Sequence, residues 1–443
     1  MEKAVCPLDF RYGYKEMKDV FSEENRHILH LKIEAELARA HASLGNIPKK
    51  NADEIVEKIF DAKLERVKEI EKETKHDIMA MVKACTEACG ESGKYIHLGA
   101  TSNDIIDTAN ALQISQAIKI LRNDCIELIK SLLKIAKAHK KTIMLGRTHG
   151  QAALPITFGL KIAVYIMEML RHIERLDEVE KRICVSKMMG AVGTGAGFGN
   201  NAMKIQETVM SKLNLGIELA PTQIVQRDRY VEFVCCLANI AGSIEKFATE
   251  IRNLQRTEIG EVAEAFEKKQ VGSSTMPHKK NPVVCENICG LARVIRSFVI
   301  PTFENVPLWH ERDLTNSSSE RFIIPHVCIL TDYILRNIRN VFENLVIYHE
   351  KMRKNLELVN EEIMSEAIML ALVKKGFGRQ EAHEMIRKLM LKGLKKEKLK
   401  KFFSEKEIEE ISDPYNYLGC CFEIVDRVIK EASQILSNNP QNL

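Results

Sequence analysis

An all-α fold is predicted by three features of this 443-residue chain. Prolines and glycines are few, 11 and 22, whereas a many-turned β structure would need more of both. Apolar residues recur at steps of three and four over long stretches. Strand-like alternation is sparse. The first stripe runs Ile162, Ile166, Met169, Ile173, Leu176 and Ile183. The second, in a proline-free stretch between Pro221 and Pro277, runs Leu237, Ile240, Ile244, Phe247, Ile251 and Leu254. The third runs Val327, Leu330, Ile334, Ile338, Val341 and Leu345. Three long amphipathic helices of this kind need partners for their apolar faces and read as a helix bundle.

The length exceeds what one ordinary core supports. Gly93 and Gly99 in the run Ser92–Thr101 separate a charged N-terminal helical part from the bundle. Near residue 350 the chain turns Lys/Glu-rich with shorter patterns. Three parts are expected, at about 1–100, 101–350 and 351–443.

Composition excludes several classes of function. Hydrophobic residues make up 45% and charged residues 28%, and the formal charge is only +4, so no nucleic-acid footprint is indicated. No apolar run approaches the ~20 residues of a membrane span. The N-terminus lacks the apolar core of a signal peptide, and a cytoplasmic protein is expected. The 12 cysteines form no C-x-x-C pair and no zinc pattern, and are read as small buried hydrophobes. Gly193, Gly195, Gly197 and Gly199 do not match G-x-G-x-x-G and follow no clear strand, so they are read as a turn between helices. No metal or organic cofactor is expected.

The densest chemistry lies in Gly272-Ser273-Ser274-Thr275-Met276-Pro277-His278-Lys279-Lys280-Asn281-Pro282. Its two prolines prevent a continuous helix, which leaves a loop rich in donors and positive charge, suited to a multiply charged anion. This segment resembles the signature loop of the fumarase/aspartase superfamily, lyases that eliminate fumarate from succinyl compounds. Its His-Lys-Lys-Asn-Pro ending is typical of the adenylosuccinate lyase branch. The resemblance extends over nearly the whole chain. It implies a homotetramer with a shared central helix bundle, sites built by several subunits, and purine nucleotide substrates.

Other segments carry the resemblance further, and each also has a plainer reading. His149, in Gly146-Arg147-Thr148-His149-Gly150-Gln151, is a capping or structural histidine on its own residues; the Thr-His-Gly-Gln pattern is similar to the branch's general-acid histidine. Glu73-Thr74-Lys75-His76-Asp77 reads alone as a charged helix start, and resembles the segment in which Lys75, His76 and Asp77 contact substrate, His76 orienting it. His97 and Thr101-Ser102-Asn103-Asp104 match the superfamily's first shared motif, where hydroxyls before a helix suit phosphate or carboxylate; a simple N-cap at Thr101 or Ser102 is compatible with that role. Arg11-Tyr12, otherwise a surface pair, is similar to the pair holding the nucleotide phosphate. Gln223 matches a substrate-contacting glutamine. In Trp309–Arg321, the residues Arg312, Ser317 and Arg321 match the phosphate and ribose contacts, for which arginine's rigid fork is suited.

The implied reaction breaks a C–N bond and removes a proton beside a carboxylate, so it needs a base, an acid and a holder for the aci-carboxylate. The expected base is Ser273. Ser274 is the second hydroxyl of the loop, and Lys279 and Asn281 are expected to hold the carboxylate. His149 is expected to protonate the departing amine, paired with Glu286. Two other readings are a carboxymuconate cycloisomerase-like enzyme, which needs no phosphate site, and a catalytically silent helical scaffold.

Overall fold

The computed structural model describes residues 4–266, 275–276, 278–391 and 396–437. These residues are overwhelmingly helical, as the stripes predict. The three stripes lie on the helices Phe158–Ile183, Asp228–Leu254 and Thr315–Glu343. Every stripe residue within those helices is buried; Leu345 falls just beyond the last one and is half-buried. Pro325 lies inside the third helix, where it removes one backbone donor. The longest helix, Ser102–Ala138 with 37 residues, was not among the stripes. No described helix is long and apolar enough to cross a membrane.

The chain packs into two compact units, each assembled from three separated segments. The first comprises Met1–Asp124, His172–Gly242 and Gly290–Leu335. Its N-terminal helices Glu23–Ser43, Lys49–Lys58, Leu64–Thr74 and Asp77–Cys89 enclose a core that includes Ile33, Leu37, Ile55, Ile59 and Met81. Ser22 starts the first of these by accepting the Asn25 N–H at 3.1 Å. A short parallel pair, Val185–Ser186 with Gly216–Ile217, closes one side.

The second unit comprises Cys125–Arg171, Ser243–Cys289 and Arg336–Leu443. Tyr165, Phe247 and Phe342 form an aromatic cluster in it, the first two stacked at 4.2 Å between ring centroids. An antiparallel hairpin, Ile143–Thr148 with Gln151–Thr157, stands out from the helical context. Pro155 sits within it and is tolerated because a two-stranded ribbon has free edges. A second antiparallel pair joins Val262–Ala263 to Val346–Ile347. Most cysteines are buried, Cys420 being exposed, and burial pushes the Cys89 thiol up to about 11. A thiol raised in this way is an inert core residue.

Candidate active site

In the first unit a cleft gathers Arg26, Asn103, Arg227, Arg312, Ser317 and Arg321. The expected group Arg312, Ser317 and Arg321 is therefore brought together. Arg312 donates to the Gln223 side-chain oxygen at 3.0 Å, which adds a fourth expected residue. Arg321 reaches Asp77 at 3.1 Å, linking the helix Thr315–Glu343 to the Lys75–Asp77 segment.

Beneath this surface lies a buried ion network that sequence reading missed. Arg227 donates both terminal nitrogens to Asp107 at 2.9 Å and also bonds Glu320 at 2.7 Å. Burial opposes its charge, yet Asp107 and Glu320 hold the guanidinium well above its ordinary value. Asn316 donates to Glu320 at 2.9 Å. Arg227 thus fixes the Gln223 segment and the Ser317 helix onto the helix Ser102–Ala138.

Asp104 does similar work at the start of that helix. Its buried carboxylate takes Lys187 at 2.6 Å and the N–H groups of Thr101, Met189 and Gly190 at 2.8 to 3.0 Å. The Thr101 and Ser102 hydroxyls make no hydrogen bond among the described residues, and so stand available to a ligand. The glycine-rich segment packs here as a turn: a side chain at Gly193, whose φ is +81°, would collide with the Pro221 carbonyl, and one at Gly99 would meet Phe198 and the Gly197 carbonyl. These glycines let the Thr101 and Gln223 segments approach.

Five non-glycine residues among those described have positive φ: Lys75, His97, His149, Asn214 and His310. Three of them are residues singled out from sequence. Such backbone costs about 1–3 kcal/mol and concentrates at functional positions. Lys75 ends the helix Leu64–Thr74 in the left-handed region. His76 then caps the next helix, its Nδ1 accepting the Met79 N–H at 3.3 Å. That leaves Nε2 of the exposed ring as the donor. His97 is held by Glu34, which accepts its backbone N–H at 3.0 Å and its ring Nδ1–H at 2.6 Å. Burial disfavours the charged ring, but the Glu34 carboxylate outweighs it and raises the imidazole above its ordinary value of 6.5. With the folded value the higher one, this stabilisation is complete below pH 6.5 and lost as pH rises through the folded value. The stability gap between wild type and His97→Asn is expected to be about 1–3 kcal/mol on the acid side of neutrality and to narrow at alkaline pH. Urea unfolding across pH checks this. Arg11 is exposed, and Tyr12 meets Tyr333 edge-on at 5.6 Å.

The second unit carries the other expected group. His149 sits at the exposed tip of the hairpin, so it caps no helix. His149 and Gly150, at φ +54° and +74°, make a two-residue turn between the paired Thr148 and Gln151. Arg147 anchors the hairpin on buried Glu261 at 2.8 and 3.0 Å, and Asn355 donates to the same carboxylate at 2.8 Å.

Glu261 leads into the signature segment. Ser273 and Ser274 lie outside the described residues. On the far side Lys279 is exposed, and Asn281 precedes the helix Val283–Ser297. Glu264 caps that helix through the N–H groups of Val284 and Cys285, at 3.2 and 2.7 Å. Gln255 accepts the Glu264 N–H at 2.9 Å and donates to the Lys280 carbonyl at 3.1 Å, so one amide braces both sides of the segment. Replacing Glu264 with Ala strands two donors and is expected to cost about 1–3 kcal/mol. It should also reduce turnover; thermal melts and rate measurements read the two effects.

Glu286 lies exposed in the first turn of this helix. Neither it nor His149 hydrogen-bonds the other among the described residues. Arg26, Lys187 and Glu264 had no signal in the sequence beyond their residue type, and Asn103 stood in the Thr101–Asp104 motif without a role of its own.

The class that this fold and these segments define is that of the lyases: the family described as Lyase matches residues 11–297, and that described as Adenylosuccinate lyase C-terminus matches residues 362–428. The chain is 51% identical to the adenylosuccinate lyase of Pyrococcus abyssi over 445 residues, covering 98% of this chain and 99% of that one. It is 44% identical to the adenylosuccinate lyase of Aquifex aeolicus over 421 residues, covering 92% and 96%. The chain belongs to the adenylosuccinate lyase family. Among solved structures, the fumarate lyase of Mesorhizobium sp. BNC1 is similar at a TM-score of 0.85 and 32% identity, covering 94% of this chain and 98% of that one. The 3-carboxy-cis,cis-muconate lactonizing enzyme of Pseudomonas putida is similar at 0.87 and 31%, covering 96% and 99%.

Proposed function

We propose that this protein eliminates fumarate from adenylosuccinate to give AMP, and acts in the same way on the succinyl-aminoimidazole-carboxamide ribotide of purine synthesis. The observation that carries this reading is the cationic cleft of the first unit, where Arg312, Ser317 and Arg321 converge beside Gln223. A nucleotide phosphate needs such a cradle, and the substrate's phosphate and two carboxylates bring about four negative charges. Arg11, Lys75 and Lys279 supply further positive charge.

In the proposed mechanism Ser273 removes the proton next to the carboxylate. Lys279 and Asn281 hold the aci-carboxylate as charge develops. His149 protonates the leaving nitrogen, while His76 and Gln223 orient the substrate. His149 is fixed by its turn, and no carboxylate among the described residues bonds it, which supports a homotetramer in which another subunit supplies the Glu286 partner. The cytoplasm is the proposed location.

An ultraviolet assay of adenylosuccinate cleavage tests the reading. Fumarate and AMP are the expected products. A folded protein that leaves adenylosuccinate intact but lactonises carboxymuconate would transfer it to the lactonizing enzymes, and one inert to both would be a silent scaffold. The match at residues 362–428 favours the purine substrate.

A further inference from the structure

Arg26 occupies the first turn of the helix Glu23–Ser43, next to Glu23 and Glu24. A cation there opposes the helix dipole, which favours acidic residues at this end. Its position breaks a local rule, and such breaks mark functional positions.

Its surroundings sharpen the point. Arg26 lines the same cleft as Arg312, Ser317 and Arg321. Two guanidiniums of that cleft are neutralised, Arg227 by Asp107 and Glu320 and Arg321 by Asp77. Two are not. Arg312 bonds only the neutral amides of Gln223 and Asn316, and the Arg26 side chain makes no hydrogen bond or ion pair among the described residues. Burial, and then the like charge of Arg321, hold the Arg26 guanidinium below its ordinary value. Neighbouring His30 feels the same field: burial first, and Arg26 second, push its imidazole down to about 3. A half-buried cation without a partner is costly unless an anion arrives. The Asn103 side-chain oxygen, in a residue 2% exposed, is also without a partner and lines the cleft.

We propose that Arg26 is a further substrate-binding residue: together with Arg312 it clamps the phosphate dianion of the bound nucleotide, with the Asn103 amide completing the shell around the ligand. These two guanidiniums have no carboxylate directly bonded to them among the described residues, so both can turn their donors to a phosphate monoester, and paired guanidiniums hold such a group through charge-assisted bonds. This rests on the purine-nucleotide reading of the cleft.

The test measures AMP and adenosine binding by calorimetry for wild type, Arg26→Gln and Arg26→Lys, beside cleavage of adenylosuccinate. Arg26→Gln is expected to bind AMP roughly tenfold or more weakly, with adenosine affinity unchanged. KM for adenylosuccinate should rise by more than kcat falls, and Arg26→Lys should recover part of the loss. Thermal stability separates this role from a structural one: Arg26→Gln removes an unpaired cation and should melt no lower than wild type. A wild type that cleaves adenylosuccinate alongside an Arg26→Gln variant with unchanged AMP affinity overturns the proposal and leaves the function standing. A wild type that neither binds AMP nor cleaves the substrate removes both.

Discussion

His149→Asn is expected to lower kcat by about 10²–10⁴-fold, the range of a lost general acid, with little change in thermal stability. The structure explains why the two effects separate. His149 is exposed at a hairpin tip whose backbone is fixed by the Thr148–Gln151 pairing and by Arg147 on Glu261. Removing its ring therefore opens no cavity. Asparagine tolerates the left-handed backbone at φ +54° better than alanine does. His149→Ala should be equally inactive but slightly less stable. The comparison by ultraviolet assay and thermal melt reads chemistry through one variant and backbone strain through the other. A His149→Asn protein turning over at a wild-type rate would place the acid elsewhere.

Arg227→Met is expected to be the most destabilising single change in the first unit, by about 3–5 kcal/mol. It leaves the Asp107 and Glu320 carboxylates buried without their counter-charge. Urea unfolding measures the loss. The triple variant Arg227→Met, Asp107→Asn, Glu320→Gln removes all the charges together and should regain part of the stability, because the cost lies in uncompensated charge more than in lost attraction. A single variant as stable as wild type would mean that solvent reaches the network. Surviving Arg227→Met protein should also show a raised KM, since Gln223 and Ser317 stand on the segments Arg227 ties together.

The long helices were legible because burial repeats with the helix period: Ile162 to Ile183 and Leu237 to Leu254 face inward as their spacing dictates. The family was legible because the signature segment concentrates hydroxyl, imidazole, ammonium and amide side chains in a short span between prolines. The hairpin bearing His149 was hidden, since His-Gly is a weaker turn signal than Asn-Gly and Pro155 reads as a loop residue. Arg26, Arg227 and Lys187 were hidden for another reason. Each is an ordinary basic residue whose meaning lies in its partner, or lack of one, after folding; Arg227 meets Asp107 across 120 positions. Periodicity reports which face is covered, not which charge answers which.

The alternation of segments between the two units bears on how the protein is made. The first unit is unfinished until Gly290–Leu335 has left the ribosome. By then two segments that belong to the other unit have already been synthesised. Neither unit can close from a contiguous stretch, so apolar faces stay open through much of translation and invite aggregation or chaperone binding. No single cut in the gene yields two self-sufficient halves, and maturation should be markedly slower than for a sequentially folding domain of equal size.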